Sequence, residues 1–294
     1  MAEAGLTESL GDTPDGFRSG FVALVGRPNV GKSTLLNRIL GEKVSITSNK
    51  PQTTRNQIRG VLDRDDCQLV FIDTPGIHKP RTLMGERLND TARAASGGVD
   101  VVCLLADAAR GIGKGDRLLA EQLGPSAVLV LNKCDKAGRA KVAEQLTIAS
   151  EIEFADYFPI SARTGEGVDA LIDYLVSRME DGPRWYAAGS VSDLTDEFRV
   201  AELVREQLLR VMREELPHSI ATRVTEWAPP HVRVEILVER DSQKGMVIGK
   251  GGSVLKEVGT LARKQLPAGT YLELHVSVDR DWQRKAKSLD RLGY

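Results

Sequence analysis

The stretch from residue 26 to residue 33 has the spacing of a phosphate-binding loop. It reads Gly26-Arg27-Pro28-Asn29-Val30-Gly31-Lys32-Ser33 and is followed by Thr34. In this pattern the glycines let backbone N–H groups wrap a phosphate chain, the lysine places charge near the β and γ oxygens, and the serine hydroxyl reaches Mg²⁺. A chance glycine-rich turn is the alternative. Because an apolar strand precedes the loop and a helix follows it, the sequence predicts that residues 26–34 bind phosphates, with Lys32 also acting in catalysis.

A second cluster, Asp73-Thr74-Pro75-Gly76, follows the apolar run at residues 69–72. A carboxylate at this point can hold the Mg²⁺ shell, and a glycine lets a backbone N–H approach the γ-phosphate. Alone, such a tetrapeptide is an ordinary turn. Downstream of a phosphate loop, it predicts that Asp73 and Ser33 serve the metal ion and that Gly76 acts in catalysis.

A third cluster, Asn132-Lys133-Cys134-Asp135, is suited to choosing the base. A carboxylate accepts two parallel hydrogen bonds from N1–H and the exocyclic amine of guanine, and adenine cannot offer that pair of donors. Asp135 is therefore the predicted specificity residue, while the stem of Lys133 covers the face of the base. After a further strand, Ser161-Ala162 is predicted to present a backbone N–H to the guanine oxygen.

Together these elements resemble the translation-factor-related class of small GTPases, over about residues 20–180. The resemblance implies a threonine, between the first two clusters, that contacts Mg²⁺ and the γ-phosphate and so orders a switch. The loop Pro51-Gln52-Thr53-Thr54-Arg55 lies in that interval. Thr54 is the predicted metal ligand and catalytic residue because it directly precedes the arginine, as in related bacterial GTPases. Thr53 remains the alternative.

The residue after Gly76 bears on the rate of hydrolysis. Ras-like GTPases have a water-orienting glutamine there, whereas this chain has Ile77. An apolar side chain cannot orient water, so slow intrinsic hydrolysis is predicted, with assistance from a bound partner or from K⁺. Asn29 lies where related bacterial GTPases have a potassium ligand, and its alternative role is to stabilise the turn.

These clusters need a scaffold that brings them together. Apolar runs without polar alternation end at Val25, Ile72, Ala106, Leu131 and Ile160, each directly before a polar residue or the phosphate loop. Such runs indicate strands buried on both faces, hence a mostly parallel sheet between helix layers, with ligands at the carboxyl ends of the strands. The predicted fold is an α/β P-loop GTPase domain over residues 19–180.

The second half of the chain is predicted to be an α+β domain over residues 196–294, in the order α-β-β-α-α-β. A stretch with Gly and Pro at residues 181–195 is predicted to be a linker. Strands at 221–227 and 231–239 alternate apolar with polar residues, which predicts an antiparallel pair with one face exposed. Residues 1–18 are acidic and polar without the regions of a signal peptide, and are predicted to be a disordered leader.

Composition excludes several classes of protein. Forty Lys and Arg against 41 Asp and Glu leave a net charge of -1, so any basic footprint for nucleic acid must be local. The three cysteines are widely spaced, which argues against a disulfide framework or a zinc site and suits a reducing cytoplasm. No apolar run reaches the roughly 20 residues that span a bilayer.

One local basic footprint surrounds a G-x-x-G loop in the second half. Such a loop before a helix brings backbone close to a sugar-phosphate chain and clamps about four nucleotides. Residues 240–264 contain six basic and two acidic side chains, and a solvated helix face is the alternative explanation. Val247 and Ile248 are predicted to line the apolar floor of a groove under the bases, and ordinary core packing is the alternative for both. The predicted RNA contacts are Lys244, Val247, Ile248, Gly249, Lys250, Gly251, Gly252, Lys256, Arg263 and Lys264.

The second half resembles a KH domain, and the pair of halves resembles the bacterial Era family of GTPases. The resemblance rests on the P-Q-T-T-R loop, on D-T-P-G-I-H, on M-V-I-G-K-G-G and on R-L-G-Y near the end. It implies GTP and GDP as ligands with Mg²⁺, binding of 16S ribosomal RNA near its 3′ end, and a role in 30S subunit assembly coupled to growth and division. It also implies a cytoplasmic protein with peripheral association at the inner membrane, although the sequence shows no amphipathic anchor. No stable oligomer is predicted.

Two other classes of function fit less well. A metabolic P-loop enzyme would have no use for a guanine motif joined to a KH-like half. A constitutive RNA-binding module with a purely structural nucleotide site disagrees with the presence of Lys32, Ser33 and Asp73. The sequence therefore favours RNA binding under the control of GTP.

Overall fold

The computed structural model describes residues 13–77, 80, 82–212 and 216–294. The predicted leader therefore lies largely outside the described residues. Two compact units emerge. Unit 1 comprises the described residues of Met1–Ser45, Gln57–His78 and Asn89–Asp193, and unit 2 those of Ile46–Asn56, Lys79–Leu88 and Leu194–Tyr294. Two short segments from the first half of the chain thus belong to unit 2, which a division into contiguous domains does not anticipate.

Unit 1 contains a six-stranded sheet in the order β2-β3-β1-β4-β5-β6. All neighbouring strands are parallel except β2, which pairs with β3 in the antiparallel direction. Buried apolar residues fill β1, β3, β4 and β5 without alternation, as expected of strands covered on both faces. The strands are β1 (Arg18–Gly26), β2 (Ile58–Asp63), β3 (Cys67–Asp73), β4 (Val101–Asp107), β5 (Val128–Asn132) and β6 (Asp156–Pro159).

Helices follow most strands of unit 1 and connect one parallel strand to the next. Leu119 of one of these helices packs with Leu104 and Leu129 of the sheet in a shared core. The fold is therefore the predicted α/β arrangement. The helices are α1 (Lys32–Leu40), α2 (Leu83–Ala94, whose first residues belong to unit 2), α3 (Lys114–Leu123), α4 (Cys134–Ala137), α5 (Arg139–Ala149) and α6 (Val168–Ser177).

Unit 2 has the predicted α-β-β-α-α-β order. Strand β7 pairs with β8 in the antiparallel direction and β8 with β9 in the parallel direction. Apolar residues of the helices and of the inner face of the sheet form one core, which includes Val204, Val234 and Val258. The elements are α7 (Asp196–Val211), β7 (Ala221–Ala228), β8 (His231–Val238), α8 (Asp241–Ile248), α9 (Ser253–Arg263), β9 (Tyr271–Val278) and α10 (Ala286–Leu292).

The structure differs from the sequence prediction at both ends of unit 1. Phe17 is only 1% exposed and β1 begins at Arg18, so residues 17 and 18 are part of unit 1 and not of a leader. Most of the stretch predicted as a linker is attached to unit 1. Arg184 pairs with Asp63 at 2.8 Å, and the backbone of residue 186 bonds to Gln68. Backbone and side-chain hydrogen bonds therefore make residues 181–193 a strap on the sheet rather than a free connection.

No helix in the described part of the chain combines the length and apolar character needed to cross a membrane. No group of three or more His, Cys, Asp or Glu side chains within it could hold a metal ion alone. The cysteines are free thiols, and burial raises the pKa of Cys103 to about 12.

Candidate functional site

The phosphate loop joins the end of β1 to the start of α1, as the sequence predicts. Gly31 adopts φ 106°, and a Cβ at this position would lie 2.3 Å from the Asn132 amide nitrogen, so only glycine fits. Lys32 is buried, and its ammonium group donates to the carbonyls of Gly26 at 3.1 Å and Arg27 at 3.3 Å. The carbonyls of the loop therefore surround the lysine ammonium group and hold it in place.

The electrostatics of Lys32 follow from this burial. Loss of water lowers the pKa of its ammonium group from 10.5 to about 8, while the charge of Asp73 acts in the opposite direction. The group is therefore a cation whose charge depends on pH within the physiological range. A phosphate bound nearby would favour the protonated form.

Three oxygens converge where the sequence predicts a metal ion. Ser33 Oγ donates to Asp73 Oδ2 at 2.7 Å, and Ser45 Oγ donates to the same oxygen at 3.0 Å. Hydroxyl and carboxylate oxygens are hard donors of the kind Mg²⁺ takes, and Mg²⁺ commonly uses one or two carboxylates together with substrate phosphates. The donor set therefore fits Mg²⁺. Ser45 was missed by sequence reasoning, because no motif marks it.

The turn after β3 closes against the phosphate loop. Thr74 Oγ1 donates to the carbonyl of Leu24 at 2.8 Å, and the N–H of Ile77 donates to the carbonyl of Gly26 at 3.3 Å. Gly76 is buried against Pro28. The side chain of Ile77 packs on the core around β4, so it has no polar atom to orient water. Asn29 adopts φ 65°, a left-handed conformation found in turns. Its role as a potassium ligand stays a prediction.

Asn132 ties three loops together at the end of β5. Its amide nitrogen donates to the carbonyl of Val30 at 2.9 Å, and its Oδ1 accepts the N–H groups of Lys133 at 2.7 Å and Ala162 at 2.9 Å. The predicted donor to guanine, the N–H of Ala162, therefore has a protein partner in this structure. Asn132 acts as a brace for the base motif, and Ala162 belongs to the same brace.

Asp135, the predicted base-recognising residue, lies in the first turn of α4 and contacts two polar side chains. Its side chain is 10% exposed, Ser161 Oγ donates to Oδ1 at 2.8 Å, and Arg163 lies 2.6 Å from Oδ2. Burial alone would raise the pKa of Asp135, but the hydrogen bond from Ser161 and the charge of Arg163 outweigh it and lower the pKa below its ordinary value. Asp135 is therefore ionised and able to accept two hydrogen bonds.

Asp107, at the end of β4, is a site residue that sequence reasoning missed. Its Oδ2 lies 2.7 Å from Lys133 Nζ, and Lys133 Nζ also donates to the carbonyl of Asn29. Its Oδ1 accepts the N–H groups of Ala109 at 3.0 Å and Arg110 at 3.2 Å. The signal was available, because Asp107 is another polar residue directly after a buried strand. Its carboxylate holds the lysine predicted to cover the base.

The predicted switch threonine, Thr54, lies in a segment that groups with unit 2. Residues Ile46–Asn56, here called the switch loop, belong to unit 2, whereas Ser33 and Asp73 belong to unit 1. Thr53 Oγ1 makes hydrogen bonds at 2.7 Å to Ser48 Oγ and to the carbonyl of Lys50. Those contacts keep Thr53 occupied within the loop. Thr54 is buried as well, and its metal role stays a prediction.

The G-x-x-G loop connects α8 to α9 as a single 3₁₀ turn, Lys250–Gly252. Gly251 and Gly252 have φ of 60° and 79°, and the space where their side chains would lie is open. The structure corrects one predicted RNA contact. Val247 is 0% exposed within the core of unit 2, so its side chain cannot floor a groove, and Ile248 is half-buried against the same core.

The predicted basic residues remain accessible beside this loop. Lys250, Lys256, Arg263 and Lys264 are exposed and Lys244 is half-buried. Within the described part of the chain, none of these five forms an ion pair. Cations that lack carboxylate partners remain available for phosphates. Met246, 58% exposed next to the loop, adds an apolar surface that sequence reasoning did not single out.

Two family models match the chain. One, described as a 50S ribosome-binding GTPase, matches residues 21–133 and contains the phosphate loop. The other, described as a KH domain, matches residues 215–283 and contains the G-x-x-G loop. The two matches fall in different halves of the chain, in the order that the sequence predicts.

Whole-length relatives exist in sequence and in structure. The chain is 49% identical to GTPase Era of Mycobacterium tuberculosis and of Mycobacterium bovis, over 95% of this chain and 99% of each relative. A solved structure of an Aquifex aeolicus Era variant bound to GDP.AlF4- has a TM-score of 0.91 at 35% identity. Another, Era in complex with MgGDPNP and nucleotides 1506-1542 of 16S ribosomal RNA, has a TM-score of 0.90 at 35% identity. Each covers 95% of this chain and 99% of the solved chain.

Nucleotide affinity is expected to fall as the pH rises through the pKa of Lys32, about 8. Below this pKa the lysine is already charged, whereas above it phosphate binding has to return a proton to the ammonium group. The dissociation constant for GDP should therefore increase about fourfold between pH 7 and roughly pH 8.5, measured by equilibrium titration. Lys32→Arg is the control, because a guanidinium stays charged. An equal slope in that variant would assign the effect to another group.

Removal of the Lys133 charge should be partly rescued by removal of the Asp107 charge. Lys133→Met keeps the aliphatic stem but removes the nearer cation of a buried carboxylate and leaves only Arg110, 3.9 Å from Asp107 Oδ2. This loss should cost about 1–3 kcal/mol in the free energy of unfolding. Asp107→Asn keeps the oxygen that accepts from the turn. The double variant should therefore be more stable and bind GDP more tightly than Lys133→Met alone, in thermal melts and titrations. Additive losses would contradict a pair that acts together.

Proposed function

Because this chain belongs to the Era family of GTPases, we propose that it is a GTP-controlled switch that binds 16S ribosomal RNA near its 3′ end. The observation that carries the proposal is the combination found in one chain. Strands β1, β3 and β5 lead to Lys32, Asp73 and Asp135 at the carboxyl edge of one sheet. Unit 2 of the same chain displays an open G-x-x-G loop among unpaired cations.

The nucleotide reaction is hydrolysis of GTP to GDP and phosphate. Lys32 and the backbone of the phosphate loop bind the β and γ oxygens, and Ser33, Asp73 and Thr54 are the residues that would hold Mg²⁺. When bound, Mg²⁺ neutralises charge that develops on the phosphate oxygens. The N–H of Gly76 approaches the γ-phosphate, and Asp135 accepts the two donors of guanine. Binding is therefore shared between charge at the phosphates and hydrogen bonds at the base.

Hydrolysis by the chain alone is slow in this proposal. Ile77 is partly buried against the core, and its apolar side chain supplies no acceptor for the attacking water. The missing orientation has to come from a bound partner or from K⁺, for which Asn29 is the candidate ligand. A slow intrinsic rate suits a timer, because the GTP state then lasts until an assembly event supplies the missing group.

RNA is the partner of unit 2. Gly249–Gly252 brings the backbone to the sugar-phosphate chain, and the cations Lys244, Lys250, Lys256, Arg263 and Lys264 neutralise phosphates. Ile248 and Met246 offer apolar surface to bases. One solved relative carries nucleotides 1506-1542 of 16S ribosomal RNA, which supports the choice of the 3′ region. The corresponding process is assembly of the 30S subunit, with coupling to growth and division.

The location and the assembly state are proposed from family membership alone. We infer a cytoplasmic protein that associates peripherally with the inner face of the membrane and forms no stable oligomer. Size-exclusion chromatography with light scattering and vesicle flotation measure these two properties directly.

Asp135→Asn should change the base preference from guanine to xanthine. An amide donates to the C2 oxygen of xanthine, and it cannot accept both donors of guanine, so GTP affinity should fall about 100-fold or more while xanthosine triphosphate binds. The measurement is competition between the two triphosphates. Unchanged GTP affinity would remove Asp135 from base recognition and with it the proposed specificity.

Gly251→Asp should weaken RNA binding without affecting the nucleotide site. Its φ of 60° is one that aspartate tolerates, and the added carboxylate points into open space where phosphates are expected. Affinity for an RNA of the 16S 3′ region should fall about tenfold or more in a filter-binding assay, with GDP affinity unchanged. Gly251→Asn is the matched control, since it adds the same bulk without charge and should retain most binding. Full RNA binding by the aspartate variant would refute the G-x-x-G assignment.

A further inference from the structure

Ser45 is a buried residue that belongs to none of the nucleotide motifs. It is 0% exposed, and its Oγ donates to Asp73 Oδ2 at 3.0 Å. The same carboxylate oxygen accepts a hydrogen bond from Ser33 Oγ at 2.7 Å. Hydrogen bonds to a carboxylate are stronger than those between neutral groups, and exclusion of water strengthens them further. Both hydroxyl groups therefore direct their protons at one oxygen of Asp73.

The backbone of Asp73 is already fixed by the sheet. Asp73 is the last residue of β3, where it lies opposite Leu24 of β1 and Ile58 of β2. Since the neighbouring strands hold its backbone, the position of the carboxylate depends on rotation about the side-chain bonds. The two hydroxyl groups on Oδ2 restrict that rotation. Ser45 thus holds Asp73 independently of Ser33, the predicted metal ligand.

Ser45 is itself held by a side chain of helix α1. Asn37 Oδ1 accepts the N–H groups of Val44 at 3.0 Å and Ser45 at 2.9 Å, and the Asn37 amide nitrogen donates to the carbonyl of Ser45 at 2.7 Å. Asn37 lies four residues after Ser33 in α1, so the two side chains share one face of the helix. The hydrogen bonds therefore form a closed ring. Helix α1 reaches Asp73 directly through Ser33, and again through Asn37 and Ser45.

This ring of hydrogen bonds fixes the direction of the Ser33 lone pairs. A serine oxygen whose proton points at a carboxylate presents its lone pairs to the other side, which is the orientation that a metal ligand requires. Groups that orient a ligand in this way commonly alter metal affinity by about 10-fold to 100-fold when they are removed. Loss of the Ser45 contact would allow Asp73 to rotate, and the Ser33 hydroxyl would turn with it.

We propose that Ser45 is a positioning residue for Mg²⁺, which acts through Asp73 on Ser33 without touching the metal or the nucleotide. The inference rests on the proposed function, since it takes Ser33 and Asp73 to hold Mg²⁺ beside a bound nucleotide. A purely structural Ser45 would only supply a donor to a buried carboxylate. Its removal would then lower stability and leave metal affinity unchanged, so the two roles have different experimental signatures.

Ser45→Ala should weaken metal binding and leave GDP binding in EDTA unchanged. Mn²⁺ prefers octahedral oxygen ligands, as Mg²⁺ does, and electron paramagnetic resonance detects the free ion directly. With protein in excess of GDP, the dissociation constant for Mn²⁺ should rise about tenfold or more. GDP is the suitable nucleotide, because the predicted role of Thr54 requires a γ-phosphate. Equal Mn²⁺ affinity in the unaltered protein and in Ser45→Ala would overturn the positioning role.

Asn37→Ala tests the ring at a second residue. It removes the clamp on the Ser45 backbone but keeps the Ser45 hydroxyl, so Mn²⁺ affinity should fall by less than in Ser45→Ala. Because Asn37 acts through Ser45, adding Asn37→Ala to Ser45→Ala should cause little further loss. Full additivity of the two losses would contradict the proposed route. If thermal melts show that Ser45→Ala is unfolded, unchanged Mn²⁺ affinity in Asn37→Ala would overturn the inference by itself.

Thr222→Val is the matched control for the loss of a buried hydroxyl. Thr222 is buried in unit 2, and its Oγ1 donates to the carbonyl of Ala201 at 2.9 Å. The substitution should lower the melting temperature and change neither Mn²⁺ nor GDP affinity. A loss of Mn²⁺ affinity equal to that of Ser45→Ala would assign the effect to general destabilisation and overturn the positioning role.

Failure of the proposed function would give a different result. If the unaltered protein bound Mn²⁺ no more tightly with GDP than without it, the proposed metal and nucleotide site would be refuted, and the inference with it. GDP-dependent Mn²⁺ binding that is the same in Ser45→Ala would instead refute the inference alone. The two failures are therefore distinguished by the unaltered protein.

Discussion

The amide of Asn132 is the interaction on which the nucleotide site depends. A parallel sheet brings the ends of β1, β4 and β5 to one edge, but the loops that follow these strands would still move independently. Asn132 joins the phosphate loop through Val30, the base motif through Lys133, and the following loop through Ala162. Buried in the protein, each of these hydrogen bonds is costly to leave unmade, so the three loops keep one relative geometry. The loops predicted to bind the phosphates and the base are therefore connected through a single side chain.

The charged side chains on the two sides of Asn132 differ: a lysine lies at the phosphate loop and a carboxylate at the predicted base site. At the phosphate end a buried lysine faces Asp73, and the balance leaves its charge sensitive to pH and to a bound anion. At the base end Asp135 is kept ionised by Ser161 and Arg163, while Asp107 neutralises Lys133. The apolar Ile77 interrupts this polar lining at the point where water would have to be oriented. Slow intrinsic hydrolysis is the prediction that follows from this lining.

In the second unit, too, buried polar groups are hydrogen-bonded. Its core is apolar and continuous, yet two arginines, Arg55 and Arg205, are enclosed at its margin and donate mainly to backbone carbonyls and to Glu202. Enclosing two guanidinium groups is costly unless their hydrogen bonds are made, which these carbonyl and carboxylate acceptors provide. The two arginines attach a loop from the first half of the chain to the unit that presents the G-x-x-G motif.

The sequence alone determined the two folds, the three nucleotide motifs and the RNA loop, because each rests on local order: buried strands that end in polar residues, glycines at fixed spacing, and the alternation of the later strands. Only the tertiary structure decided which residues at those places cooperate. Ser45 and Asp107 join the site, Val247 leaves the RNA surface for the core, and Ala162 donates to Asn132. Strand β2, the strap at 181–193 and the docking of the switch loop in unit 2 were likewise not predictable. All of these depend on contacts between residues far apart in the chain, which spacing and periodicity do not encode.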